Sequence, residues 1–432
     1  MSGQRFGIGI DFGTTNSSIA RVSTSGEVEL VRYPAAGAMV EAYRSLLYLD
    51  LVKEQGRRRI KSWSGPAAIE EYLAAETKGR LIQSLKSFLS SRGLRGTAVF
   101  GRQMTLEDLI SRILRDLREG AEAQFGAPVD RVVAGRPVRF VGADKDTDNT
   151  FAEERLRDAF QAAGYREVEF ELEPVAAAHH YQATLDHDEL ILIGDFGGGT
   201  SDFSLLHVGP KRSRNLLGNS GVGIAGDAFD AKIVRELVSP ALGRGSNALS
   251  GMGLEKVLPA VPNWVYAKLE HWHHLSFLRT SSTMNMLSST IATALEPGKI
   301  EALIHLIKED LGYELHRSVQ RVKVALSAES EAIFRFSDGV VEIERAVTRR
   351  EFEDWIAEEL AQIEECVDGL VARSGVAPAD VDRVFLTGGS SFVPAVRSIF
   401  ERRFGADRIR AGNEFTSVAR GLGWSALERV RL

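Results

Sequence analysis

Asp195-Phe196-Gly197-Gly198-Gly199-Thr200-Ser201-Asp202 constrains this chain more than any other stretch, because an apolar run flanks it on each side. Leu190 to Gly194 reads as a buried strand and Phe203 to Val208 as its partner, so the glycines fall in a tight turn between them. Three consecutive glycines admit backbone angles closed to other residues, and they let main-chain N–H groups approach an anion with no Cβ in the way. Phosphate suits such a turn. The flanking aspartates repel phosphate, so their natural part is to hold a divalent cation or its waters against the phosphate oxygens. Standing alone, the octapeptide would be explained as well by a Gly-rich hairpin with two solvated aspartates.

It does not stand alone. Phe6 to Ala20 repeats the layout: an apolar strand, Asp11-Phe12-Gly13, the small polar residues Thr14, Thr15 and Asn16, and a second apolar strand. The two Asp-Phe-Gly triplets lie 184 residues apart, so the chain reads as two related halves, each offering a phosphate-facing hairpin, with a nucleotide between them.

Two further stretches fit that picture. Glu173-Pro174-Val175-Ala176-Ala177-Ala178 opens a helix with proline in its first turn and a carboxylate at its start. Helix capping alone would account for Glu173; facing the same cavity as Asp11 and Asp195 would give it chemistry. Val384 to Ser390 is a buried strand that ends in glycines ahead of a helix, a place for a nucleotide's sugar and α-phosphate at Gly388, Gly389 and Ser390.

In this order, the motifs GIDFGTTNS, LEPVAAA, DFGGGTSDFS and LTGGSSFVP closely resemble those of the ATPase domain of the heat-shock-70 (DnaK) chaperones, within the actin, hexokinase and heat-shock ATPase superfamily. The Gly135-Arg136-Pro137-Val138 variant and the chain length look more like the short YegD-type relatives. The resemblance implies an α/β, two-lobed actin-like ATPase fold of duplicated ribonuclease-H-like domains, with the nucleotide cleft between lobes. Lobe I would span residues 1–189 and lobe II residues 190–411, with a variable helical stretch near 240–310 and a helix in 412–432 returning to lobe I. It implies ATP or ADP with magnesium as ligands: Asp11 and Asp195 orienting the hydrated ion, Lys86 and Glu173 placing the attacking water, and Asp202 near that water. Gly13, Thr14, Thr15, Asn16, Gly197, Gly198, Gly199 and Thr200 would grip the phosphates, near the turn of Gly226 and Asp227. Gln320, Lys323 and Ser327 fall where adenosine contacts occur, with Gln320 replacing the family's ribose-binding glutamate. Pro137 matches the proline that couples nucleotide state to domain movement, whereas Glu153 stands where that relay has an arginine.

Composition narrows the class. At 432 residues with 44% hydrophobic content the chain can bury a sizeable core, and no apolar run reaches the ~18 to 20 residues of a membrane helix. A net charge of −6 argues against nucleic acid as the main partner. A single cysteine, Cys366, excludes an internal disulfide, and with no leader-like segment at Met1 a cytoplasmic protein is expected.

Elsewhere the chain reads as scaffold. Thr105 and Asp108 bracket a capping box ahead of a helix through Leu117, Arg80 to Leu89 reads as an amphipathic helix carrying Lys86, and Thr348 and Glu351 cap one long helix through Val367. Gly221-Val222-Gly223-Ile224-Ala225-Gly226 spells a dinucleotide fingerprint without its strand or its later acidic residue, so a Rossmann site is rejected. His271, His273 and His274 face several directions of a helix and read as surface. Three functions stay open: a slow, chaperone-like ATPase with protein clients or a co-chaperone as partners, a nucleotide-gated scaffold without useful turnover, and a small-molecule kinase of the same superfamily.

Overall fold

Both Asp-Phe-Gly triplets end a central strand, and the two strands organise sheets of one topology. The computed structural model describes residues 6–35, 37–54, 57–75, 79–182, 185–210, 212–249, 257–271, 274–411 and 417–431. In the first sheet the strand order is Glu167–Leu172, Arg131–Arg136, Phe6–Phe12, Asn16–Ser23, Val28–Leu30, with Tyr43–Arg44 added beside Asn16–Ser23. In the second it is Ile409–Ala411, Arg383–Thr387, Glu189–Phe196, Ser201–Gly209, Arg212–Val222. In each, the three strands around the hairpin run antiparallel and the two added on the far side run parallel to the central one. The registers match as well, with Phe12 opposite Ser17 and Asp11 opposite Ser18 in one sheet, and Phe196 opposite Ser201 and Asp195 opposite Asp202 in the other.

Compactness divides the chain into two units, Met1–Gly226 with Gln362–Leu432, and Asp227–Ala361. Both sheets belong to the first. Beneath the first sheet lies the Leu106–Phe125 helix, started by the expected capping box: the Thr105 hydroxyl accepts from the Asp108 N–H, and the Asp108 carboxylate accepts from the Thr105 N–H. Its Leu109, Ile113 and Leu117 are buried with Ile10, Ile19 and Val132 in one core.

The Glu173–Gln182 helix and the Ser417–Arg431 helix pack on each other and on the sheets. Ala176 meets Val133, Val418, Leu422 and Ala426 of the first sheet and the later helix. Ala178, on the opposite side, meets Ile191, Ile193, Leu206 and Val208 of the second sheet. The helices cross so closely that a Cβ on Gly421 would come within 1.6 Å of the Ala176 carbonyl oxygen. Glycines at 7 and 9 serve the same end, since a Cβ there would fall 2.2 Å from backbone atoms of Gly423.

Two expected helices differ. Arg80–Gln83 is a strand on the Leu46–Glu54 strand, and a left-handed Ser84 then turns the chain into a 3-10 turn over Leu85–Phe88. Strand pairing overrides the helical reading because Leu81 and Gln83 alternate inward with period two. The Thr348 capping box forms, but the helix stops at Trp355 and a second runs from Ala357 to Ser374. Ile356, expected inside one helix, takes φ −96° and ψ 11° at the break and is fully buried there.

In the second unit the Gly226–Ile233 segment continues through a π-helical turn at Val234–Val238, and the Gly312–Ala328 helix packs on the Glu331–Ser337 strand. Trp272 and His273 lie outside the described residues; His271 and His274 pack edge to face at 5.3 Å. Among the described residues no helix is long and apolar enough to cross a membrane.

Candidate functional site

Each hairpin tip is closed by one short-range bond of the same kind. The Gly13 N–H donates to the Asn16 carbonyl at 3.1 Å, and the Gly197 N–H donates to the Thr200 carbonyl at 2.9 Å. The first tip is braced from outside by the Ser45 N–H on the Thr15 carbonyl at 2.9 Å and by Arg44 on Asn16 Oδ1 at 3.5 Å. The tips converge: a Cβ on Gly199 would lie 3.7 Å from Thr14 Oγ1 and 3.2 Å from Ser87 Oγ. Gly226 joins them through its N–H on the Gly197 carbonyl at 3.5 Å.

A buried ion pair acts on the aspartates that end both central strands. Lys86 Nζ donates to Glu173 Oε1 at 2.5 Å, and each residue keeps less than a tenth of its surface. The 3-10 turn aims the lysine inward, and the first turn of the Glu173–Gln182 helix supplies its partner. Burial disfavours the ammonium, but Glu173 first and then Asp11 outweigh it, so Lys86 is held above its ordinary value and stays charged.

Four carboxylates therefore share one lysine. Burial, then repulsion from Glu173, holds the Asp11 carboxyl well above the usual carboxylate range, although Lys86 pulls it down. Asp195 is pushed up to about 6 by burial and by Glu173, against a hydrogen bond donated by Thr387 Oγ1 at 2.7 Å. Asp202 is pushed up to about 8 by burial, Glu173 and Asp195. Asp11 and Asp195 keep partial solvent access; Asp202 is 1% exposed. Asp202 Oδ1 accepts from the backbone N–H of Val138 at 3.0 Å and of Arg139 at 3.4 Å, which ties the turn after Pro137 to the second hairpin.

These raised values mark carboxyls crowded beyond what one ammonium balances, and a hard divalent cation would relieve that crowding. Asp11 and Asp195 fit that role. Among the described residues no group of three or more His, Cys, Asp and Glu side chains is gathered as a metal-binding set, so a magnesium ion here would keep most of its waters.

The other expected positions are distributed as follows. Gly388 follows the Arg383–Thr387 strand with φ 83°, where a Cβ would strike the Phe196 carbonyl oxygen at 2.0 Å, so only glycine lets this strand reach the second hairpin. Gly389 is exposed in the 3-10 turn that follows, whereas Ser390 is buried. Asp227, Gln320, Lys323 and Ser327 belong to the second unit. There Lys323 Nζ lies 2.6 Å from Asp230 Oδ1, and Ser327 Oγ donates to the Lys323 carbonyl at 3.1 Å. Glu153 pairs with Arg136 at 3.1 Å and with Arg157 at 3.2 Å, so the residue before Pro137 carries the cation and the helix carries the anion.

Sequence reasoning assigned no role to Thr387, Ser87 or the amides of Val138 and Arg139. Thr387 alone had a signal, since it lies within the Leu-Thr-Gly-Gly motif, one residue before the glycine turn.

A family model for the Hsp70 protein matches residues 87–244 and 299–426, about two thirds of the chain. The chain belongs to the heat-shock-70 family. The match takes in three of the four motifs, those at Leu172–Ala178, Asp195–Ser204 and Leu386–Pro394, and agrees with an ATP-binding role; the first motif and Lys86 lie ahead of residue 87. The matched residues of this heat-shock-70 protein include Glu173, Asp195, Asp202 and the Gly388 turn, and leave out residues 245–298 between the two segments.

Proposed function

We propose that this heat-shock-70 protein binds ATP with magnesium and hydrolyses it slowly, as a chaperone-like ATPase acting on protein clients. The observation that carries the reading is the buried Lys86–Glu173 pair, set among Asp11, Asp195 and Asp202 beside two converging glycine hairpins. The duplicated sheets would be the cores of two lobes with the nucleotide between them. The hairpin amides, with Thr14, Thr15 and Thr200, would hold the phosphates, and Asp11 and Asp195 would hold the ion. Magnesium, when bound, neutralises charge on the phosphate oxygens. Lys86 stays protonated and fixes Glu173, so the pair presents one oriented donor and one acceptor to a water. Catalysis of this kind rests on positioning and charge rather than on covalent chemistry. On the resemblance alone, Gln320, Lys323 and Ser327 are proposed as sugar and base contacts.

Single-turnover hydrolysis of bound ATP tests this. Lys86→Ala and Glu173→Ala should slow conversion by about tenfold or more, at least ~1.4 kcal/mol of transition-state stabilisation, while nucleotide affinity changes far less. A wild type that never converts bound ATP to ADP would sink the ATPase reading and leave a nucleotide-gated scaffold.

A further inference from the structure

A protein of net charge −6 carries, at residues 57–61, the run Arg57-Arg58-Arg59-Ile60-Lys61. It forms most of the Arg57–Ser64 strand, the outer strand of a three-stranded sheet whose centre is Leu46–Glu54 and whose far side is Arg80–Gln83. Arg57, Arg58, Arg59 and Lys61 are exposed, as is Lys53 on the neighbouring strand. Among the described residues no carboxylate ion-pairs with Lys53, Arg58, Arg59 or Lys61. Asp50, opposite Lys61, is turned instead to the Tyr48 hydroxyl at 3.3 Å and to the Leu51 N–H at 2.7 Å. Lys53 stands directly opposite Arg58, an arrangement of like charges that costs a sheet stability. Edge strands use charge to prevent unselective pairing. This edge concentrates four cations within five residues, and all of it lies outside the residues matched by the family model.

We propose that the Arg57–Ser64 edge is a docking site for an acidic, extended polypeptide that adds to the sheet as a further strand. Among the described residues the strand is paired on one side only, so alternate backbone N–H and C=O groups point outward as a template. Side chains alternate between faces, placing Arg57, Arg59, Lys61 and Trp63 on one and Arg58, Ile60 and Ser62 on the other. Trp63 is held rigid, with Tyr48 stacked at 5.7 Å and Lys61 Nζ 4.7 Å from its ring. The complementary partner therefore alternates carboxylate with small apolar side chains. A phosphate backbone or a lipid surface would meet the charges but cannot use the open ladder.

Fluorescence anisotropy with a labelled alternating Glu-Val peptide tests the site on the full chain. Binding should weaken with added salt, and R58E/R59E/K61E, a variant confined to exposed positions, should weaken it by about tenfold or more with an unchanged melting curve. The same peptide N-methylated at alternate residues keeps its charge and loses its ladder; it should bind wild type about tenfold more weakly or worse. No binding of the acidic peptide, or equal binding of the N-methylated form, would overturn strand addition. Tighter binding of phosphatidylserine vesicles or of a single-stranded oligonucleotide, lost in the same variant, would reassign the surface to a membrane or a nucleic acid.

Discussion

Replacing Gly421 with alanine sets two effects against each other. Within a helix, alanine is favoured over glycine by roughly 1 kcal/mol, so propensity alone predicts stabilisation. The added Cβ, however, would sit 1.6 Å from the Ala176 carbonyl oxygen, and that obstacle is backbone, which no rotamer change can move. Ordinary contact needs about 3.4 Å or more, so the two helices must separate by nearly 2 Å along a crossing buried on both sides. Overpacking of this kind costs about 1–3 kcal/mol where side chains can yield, and a backbone clash lies at or beyond the upper end. The expected balance is a loss of at least about 2 kcal/mol, which at roughly 2 °C or more per kcal/mol lowers the first transition in a calorimetric scan by about 4 °C or more. Displacement would also carry Glu173, at the start of the same helix as Ala176, away from Lys86. Turnover should therefore fall along with stability. Gly298→Ala is the control, since a Cβ there meets nothing within 4 Å, and it should leave the melting temperature unchanged or slightly raised. A Gly421→Ala protein that melts as high as wild type would refute the reasoning about the crossing.

Three other outcomes follow from the site. Lys86→Met leaves Glu173 buried without its cation and should cost about 3–5 kcal/mol in denaturant unfolding, most of it recovered when Glu173→Gln is added; a double variant no better than the single one counts against the pair. Because the Asp195 carboxyl is raised to about 6, its contribution to stability is full below pH ~4 and is lost as pH rises through 6. Without magnesium or nucleotide, Asp195→Asn should therefore gain on wild type in melting temperature as pH rises from about 4 to 6 and hold that gain above; a pH-independent difference would contradict the raised value. Gln320→Glu should tighten nucleotide binding modestly in calorimetric titration and leave single-turnover hydrolysis nearly alone, and an equal loss of both would remove Gln320 from the sugar site.

The two central hairpins were legible because they rest on local signals. Period-two alternation, an Asp-Phe-Gly end and a glycine turn recur at residues 11 and 195, and each fixes a strand pair within about twenty residues. What was not legible depends on distance. Lys86 reads as a solvated helical lysine until the Leu46–Glu54 strand pairs with Arg80–Gln83 and turns it towards a glutamate 87 positions later. Thr387 became a partner of Asp195 only through parallel pairing of strands almost 200 residues apart. The break at Ile356 is set by burial within the second unit, which periodicity along one helix does not encode.

The close seat of the Ser417–Arg431 helix on Gly7 and Gly9 has a consequence for biosynthesis. Strand Phe6–Phe12 is synthesised well ahead of the helix that covers it, which is made more than 400 residues later. At 5–20 residues per second that interval is roughly 20 to 80 s, far longer than a hairpin or a helix needs to form. Throughout it, the strip of the first sheet that this helix covers must wait bare. This protein, from a family of chaperones, thus emerges as a nascent chain that itself offers exposed apolar surface to the folding machinery until its own distant helix arrives.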